Sequence, residues 1–356
     1  MDKISRRRFV QGSITAGAAA GLPFIFAPKA QAAWAPGTTV HPNIDNLRVV
    51  GITDKKMTKE IQARSNWARQ EQLVNPEAVK TNIDKLACTL AKEKNPKDAW
   101  KAIFVKPAKK SWDQTVVAVK TNNIFTQHTR GAVMAKICHV LTDVLGVKPA
   151  NLHIYDACHG ADMKTKTPFK GLPEGCRVES NWGGSTVRTT VGEPFKGKNA
   201  KCLKPLTDGT VDILVNIALC KGHRDSFGGF TMTMKNHLGS FEPRPVHREG
   251  MDYLVAINQS PQILGAMGKK SGKLLYPRQQ LCLIDALWAS EKGPAGPPSA
   301  QPNFMAMGVL GPAVDYLVAT EFRTKKMGWK TNAKPIEGML NAFGIKKEDM
   351  GTIVPA

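Results

Sequence analysis

Four short apolar runs in this chain each stop at residues able to bind anions or move protons. After Val119 come Lys120, Thr121 and Asn122; after Tyr155 come Asp156, Cys158 and His159; after Leu219 come Cys220, Lys221, Gly222, His223, Arg224 and Asp225; after Ile284 comes Asp285. Lys221 and His223 stand two apart, so on an extended segment their side chains share one side. A lysine in a dry pocket or beside a second cation loses basicity and can act as base or nucleophile. An imidazole exchanges protons near neutrality. These two residues are the candidate catalytic pair. Lys120, Asn122, Asp156, Lys235, Asn236 and Asp285 are candidate ligand-binding residues, and the lysines among them suit a carboxylate or phosphate. The structural alternative pairs Lys221 with Asp225 or Asp285 and leaves Lys235 and Asn236 to fix a loop.

A metal site competes with this reading. His153, Asp156, Cys158 and His159 cluster in the sequence, and Cys220, His223 and His237 could join them. Imidazole and thiolate would suit zinc, iron or nickel. The spacing fits no standard site, and adjacent residues such as Cys158 and His159 rarely bind one ion. His153, Cys158, His159 and His237 are therefore the weaker candidates.

The elements that must position these residues are legible as alternating patterns. Strands are predicted over Arg48–Asp54, Thr115–Val119, Leu152–Tyr155, Val211–Leu219 and Gln280–Ile284. Helices are predicted over Pro76–Lys94, where Asn75 caps and Pro76 opens the first turn, and over Arg130–Leu145, which ends at Gly146. Two more are predicted over Ala313–Phe322 and Pro335–Phe343. Fully apolar strands alternating with helices predict an α/β fold with a mostly parallel sheet and helices on both faces. In such sheets ligands bind beyond the carboxyl ends of the strands, where the polar residues fall. Residues 160–205, rich in Gly, Lys, Pro and Thr, read as an insertion of loops and short hairpins. The glycines of Phe227-Gly228-Gly229-Phe230 suggest a flap, or else a bend with core-facing aromatics.

Composition narrows the classes. The 356 residues carry a formal charge of +21, which attracts anions. The basic residues are spread along the chain and form no nucleic-acid motif, so a nucleic-acid partner is not expected. None of the seven cysteines forms C-x-x-C, so a ferredoxin-type cluster or a zinc ribbon is not expected. Cys138 and Cys282 lie in apolar segments and read as buried thiols; Cys158, Cys176, Cys202 and Cys220 are the better bridge candidates.

The N-terminus reads Ser5-Arg6-Arg7-Arg8-Phe9-Val10-Gln11, then a weakly apolar stretch Ile14–Phe26, then Ala30-Gln31-Ala32. This order resembles a twin-arginine signal peptide, with Arg6 and Arg7 as the pair and cleavage after Ala32. The apolar run falls short of the ~20 residues needed to span a bilayer, so no stable membrane span is expected. The resemblance implies residues 1–32 as signal, residues 33–356 as a single α/β domain, and delivery to the periplasm. It also implies the twin-arginine translocase and signal peptidase as partners during export. Because that route carries folded proteins, it raises the expectation of a bound cofactor without naming one.

A second resemblance covers about residues 100–325. Lys221-Gly222-His223, followed by Thr231 or Thr233, then Lys235, Asn236 and Gly239, is similar to the K-T-H and T-x-x-x-K-N-x-x-G signature of the domain-of-unknown-function 362 family. Lys120-Thr121-Asn122 resembles its K-P-N, and Asp156 its strand-closing Asp. Ile284-Asp285, Gly293-Pro294-Ala295-Gly296 and Ala313-Val314-Asp315 resemble its later pieces, in order. Thr121, Gly222, Ala286 and Leu310 depart from the pattern. The resemblance implies a site at these positions and transfers no reaction. The readings that follow are an exported protein binding or transforming a small anionic ligand, a non-catalytic periplasmic binding or accessory protein, or a metal-dependent redox protein.

Overall fold

The computed structural model describes residues 39–124, 127–156, 169–180, 182, 186–195, 199–266 and 274–356. In chain order the elements are β1 (Val50–Thr53), α1 (Trp67–Leu73), α2 (Pro76–Ala91), α3 (Pro96–Ile103), β2 (Val117–Lys120), β3 (Asn123–Ile124), β4 (Gln127–His128) and α4 (Gly131–His139). They continue with β5 (Leu152–Tyr155), β6 (Arg177–Glu179), β7 (Thr186–Thr190), β8 (Asn199–Leu203), α5 (Lys204–Thr207), β9 (Ile213–Leu219), β10 (Lys221–Gly222), β11 (Phe230–Thr231) and α6 (Val246–Asn258). The last are β12 (Gln279–Ala286), β13 (Phe304–Gly308), α7 (Gly311–Leu317), α8 (Ala333–Ala342) and β14 (Val354–Pro355).

One eight-stranded sheet has the order β14-β1-β13-β12-β9-β2-β5-β6. Its centre is the expected one: β12, β9, β2 and β5 are consecutive parallel neighbours. Only β13 runs against them, pairing antiparallel with both β12 and β1. The strands are apolar on both sides because both sides are covered. Val117, Val119, Ile213 and Val215 pack with Ile83 and Leu86 of α2, Trp100 of α3 and Ile137 of α4. Ala118 and Leu214, one residue out of phase, pack with Tyr253, Leu254 and Ile257 of α6 and with Cys202 of β8.

Local signals set the element ends. The Asn75 side chain accepts from Ala78 N ahead of Pro76, and the residue that ends α2, Lys92, is left-handed at φ 59°. The helix predicted to reach Leu145 changes to π geometry from Val140 to Val144 before Gly146, at φ 86°, turns the chain. The stretch read as an insertion holds the hairpin β7–β8, as expected of it, but also supplies β6, which pairs parallel with β5 and extends the main sheet. Three alternating residues, Arg177–Glu179, are too short a pattern to read as a strand. The Gly-Gly stretch is a hairpin turn with Phe227 and Phe230 buried, so the core-facing bend holds and the flap does not. Among the described residues no helix is long and apolar enough to cross a membrane.

Candidate functional site at the carboxyl edge of the sheet

The parallel strands put Lys120, Asp156 and Lys221 at one edge, and the 3-10 turn Lys235–His237 crosses it. A polar residue inside an apolar strand anchors that turn. Asn216, mid-β9 and fully buried, accepts from Asn236 Nδ2 (2.8 Å) and donates to the Thr233 carbonyl (2.8 Å). A buried amide left unbonded would be costly, so these bonds fix where Asn236 points.

From Asn236 a chain of hydrogen bonds runs both ways. Lys120 Nζ donates to Asn236 Oδ1 (3.5 Å) and to the Thr121 carbonyl (2.6 Å), and lies 3.1 Å from Asp156 Oδ1. Asp156 Oδ2 accepts from Asn123 N (2.7 Å). On the other side Asn122 Nδ2 donates to Asn236 Oδ1 (3.0 Å), and Lys221 Nζ donates to Asn122 Oδ1 (2.8 Å). Lys120 is 0% and Lys221 1% exposed, so both ammonium groups are held out of water. Five of the eight expected residues therefore form one continuous network: Lys120, Asn122, Asp156, Lys221 and Asn236.

His223 and Lys235 flank this network and meet at Phe227. The His223 ring stands edge-on to Phe227 with centroids 4.8 Å apart, and Lys235 Nζ sits 5.3 Å from the centroid of the same ring. Among the described residues His223 Nδ1 is buried with no hydrogen-bond partner. Burial first, then Lys235, Arg224, His247 and Lys221, push the His223 imidazole down to about 3. It is neutral near pH 7 and accepts protons poorly, which corrects its expected role as a proton shuttle near neutrality.

Asp285 does not join the network, which corrects its expected place there. It faces the start of α4, where Asp285 Oδ2 accepts from Arg130 N (2.9 Å) and lies 3.7 Å from Arg130 Nη1. The Arg130 guanidinium, 0% exposed, also donates to the His128 carbonyl (2.8 Å) and Gln70 Oε1 (2.6 Å) and lies over Trp288. The next amide, Gly131 N, donates to Glu71 Oε1 (3.0 Å). Burial dominates and raises the Glu71 carboxyl to about 7. Sequence reasoning missed Arg130, Glu71 and Asn216. A polar residue amid Ile213–Leu219 was the available signal for the last; nothing in the sequence joined Glu71 to Asp285.

Two further residues brace the edge. Arg323, also fully buried, donates to the carbonyls of Ser290 (2.9 Å) and Glu291 (3.1 Å). The Glu291 carbonyl lies 2.1 Å from where a Cβ on Gly222 would stand, so this loop leaves no room for a side chain there. Thr233 N, Thr233 Oγ1 and Met234 N all donate to Asp315, at 2.8, 2.5 and 3.0 Å, so two segments distant in sequence meet.

The two described metal candidates, His153 and His237, bond different neighbours. His153 Nδ1 lies 2.7 Å from Glu179 Oε1 and its ring stacks on Trp182 at 4.1 Å. His237 Nε2 lies 2.7 Å from Gln279 Oε1, fully buried. Cys158 and His159, like Arg6, Arg7 and Ala32, lie outside the described residues. Among the described residues no three His, Cys, Asp or Glu side chains group to hold a metal ion. Cys138, Cys176, Cys202, Cys220 and Cys282 are free thiols, so three of the four bridge candidates form no bridge. Two surface hollows, one lined by Asn46, Leu310 and Phe343 and one by Phe104, Trp112 and Leu145, open at the opposite, amino edge of the parallel strands. No family model, curated protein or solved structure matches the chain.

Proposed function

We propose that this chain is an exported α/β protein that binds a small anionic ligand at the carboxyl edge of its sheet. One observation carries the ligand reading: the network Asp156–Lys120–Asn236–Asn122–Lys221 joins residues at the ends of three parallel strands to the turn that crosses them and places two buried ammonium groups on one line of hydrogen bonds. A carboxylate or phosphate oxygen would bond the Lys221 ammonium more strongly than the neutral Asn122 amide does. In this reading Lys120, Asn122, Asp156 and Asn236 set the geometry and Lys221 contacts the ligand, with His223 and Lys235 beside it. The twin-arginine sequence at Arg6 and Arg7 and the Ala30-Gln31-Ala32 site support export to the periplasm, and the ordered pieces around Lys221 and Lys235 support membership of the domain-of-unknown-function 362 family. Whether ligand binding leads to turnover is a matter for Lys221, the group best placed for it.

Calorimetric titration with inorganic phosphate and with malonate tests the ligand reading. The purified protein should bind at least one of them, and Lys221→Met should weaken binding at least tenfold while the thermal transition stays cooperative. Equal binding by the variant, or no binding of either anion, would overturn it. Replacing Arg6 and Arg7 with Lys should leave precursor in the cytoplasm; unimpaired export would remove that part.

A further inference from the structure

We infer that residues 291–297 form a lid over the Lys221–Asn122 hydrogen bond, held shut by Arg323 and Gln127. That a ligand enters beneath it rests on the anion-binding reading above; the lid itself does not. The segment is closed at its base, where Ala289 N donates to the Ala300 carbonyl (2.9 Å) and Ser299 N to the Ala289 carbonyl (2.9 Å). From that base it reaches both partners of the covered bond. Ser290 N donates to the Cys220 carbonyl (3.1 Å), and the Glu291 carbonyl and Lys292 Cα press so closely on Gly222 that a Cβ there has no room. These contacts fall on the residues directly before and after Lys221. On the other side Gln127 of β4 donates from Nε2 to Ser290 Oγ (2.6 Å) and to the Gly296 carbonyl (2.5 Å). β4 pairs with β3, and the hairpin they form is closed by Thr129 N donating to the Asn122 carbonyl (3.0 Å). The segment therefore bridges the hairpin that carries Lys221 and the one that begins at Asn122.

Burial and fastening both fit a lid. Lys221 is 1% exposed, whereas Glu291, Lys292, Gly293 and Pro297 are exposed, so solvent meets the bridging segment and not the ammonium group beside it. Beyond its base the segment is held by side chains and not by a strand ladder. Arg323, in the π-helical turn Val318–Lys326, donates to the carbonyls of Ser290 (2.9 Å) and Glu291 (3.1 Å), and Glu291 N donates to Ser299 Oγ (2.7 Å). A further bond from Arg323, to the Gly229 carbonyl (3.4 Å), ties the same guanidinium to the turn of β10–β11. These acceptors are neutral backbone oxygens, which grip a cation less strongly than a carboxylate does. Exposed chain with few backbone bonds is the part of a fold that opens at least cost. Gly293, left-handed at φ 63° with no atom within 4 Å of where a Cβ would stand, gives the segment an unobstructed point to swing. Arg323 and Gln127 are positioning residues in this arrangement: they hold the cover in place and touch no ligand.

Acylation of lysines by an N-hydroxysuccinimide acetate ester, read residue by residue by mass spectrometry on the full folded chain, tests the lid with no ligand present. In the parent both Lys221 and Lys120 should resist the reagent. Gln127→Ala should raise the rate at Lys221 at least tenfold, raise tryptic cleavage after Lys292 by a similar factor, and leave Lys120 protected beside Asp156. Arg323→Met should act in the same direction, and Gln127→Ala decides the matter where Arg323→Met does not fold. Faster cleavage after Lys292 with Lys221 still protected overturns the lid, because the segment then moves without uncovering the lysine. Equal acceleration at Lys221 and Lys120 overturns it too, because the exposure is then general unfolding. So does an unchanged rate at both Lys292 and Lys221. Calorimetry with inorganic phosphate separates the two readings: binding absent from the parent and from Gln127→Ala removes phosphate as a ligand of this site, while acylation alone decides the lid.

Discussion

Two charged clusters stand side by side on the same sheet edge, and they are built by opposite rules. At the ends of β2, β5 and β9, two buried lysines are spaced by amides, and Lys120 pairs with Asp156. At the end of β12 the carboxylates outnumber the cation: Asp285 and Glu71 take successive amides at the start of α4, and Arg130 lies against Asp285. In the second cluster the charges are matched by opposite charge or by backbone N–H groups, so it ties β12, α1 and α4 together. The first is strung along side-chain amides that fix where its lysines point. Lying on one edge does not give two clusters one role; what neutralises each charge decides.

The comparison breaks most visibly at Asp285. Asp285→Ala strips the buried Arg130 of its counter-ion and of the acceptor for its backbone N–H, and should destabilise the chain by about 3–5 kcal/mol. Urea unfolding measures this. Anion affinity in the still-folded fraction should change less than twofold. If Asp285→Ala removes binding at unchanged stability, the division between the clusters is wrong.

Asn236→Ala comes next and strikes the first cluster at its junction. It leaves Asn216 Oδ1 without a donor and cuts Lys120 from Asn122, a loss of about 2 kcal/mol by the usual cost of an unsatisfied buried group. Unlike Asp285→Ala, it should also weaken anion binding at least tenfold, because Asn122 and with it Lys221 lose their fixed position. Urea unfolding and calorimetry on the same preparation separate the two effects.

The sequence made the centre of the fold legible for a physical reason. Parallel strands buried on both faces must be continuously apolar, so β2, β5, β9 and β12 stood out, and the polar residues beyond each marked the carboxyl edge. β13 and β14 were hidden: Phe304–Gly308 follows a long Gly/Pro loop, and Val354–Pro355 is two residues long. The same strand-end logic that found Lys120, Asp156 and Lys221 misplaced Asp285, because strand order fixes which edge a residue reaches and not which helix start it turns toward. Glu71 sits on α1, far from any strand end, and only tertiary packing brings it to Gly131.

The pH dependence of stability sharpens the comparison, because the clusters pull in opposite directions. Glu71 titrates at about 7 in the folded chain against an ordinary 4.5. Its carboxyl binds a proton more readily folded than unfolded, so stability falls as pH rises from about 4.5 through 7. Glu71→Gln abolishes that fall, and the stability of the variant relative to the parent should improve by on the order of 1–3 kcal/mol between those limits. Asp315, raised to about 6 by burial, retains a weaker slope of the same sign.

His223 gives the smallest and most diagnostic effect. Its folded value of about 3 lies below the unfolded 6.5, so below pH 6.5 the unfolded chain takes up a proton that the folded chain refuses. The associated stability is complete above pH 6.5 and is lost progressively as pH falls toward 3. Between about 4.5 and 6.5 this slope opposes that of Glu71. Relative to the parent, His223→Gln should weaken the rise of stability with pH and Glu71→Gln should strengthen it, each by on the order of 1 kcal/mol across that window. The acid limb of His223→Gln stays partly in place, because His237 and His41 are also held low, at about 3 and about 4, by burial. Urea midpoints measured at half-unit pH steps distinguish the cases. Equal tilts of the same sign in both variants would show that the two clusters titrate as one, against the separation that their hydrogen bonds describe.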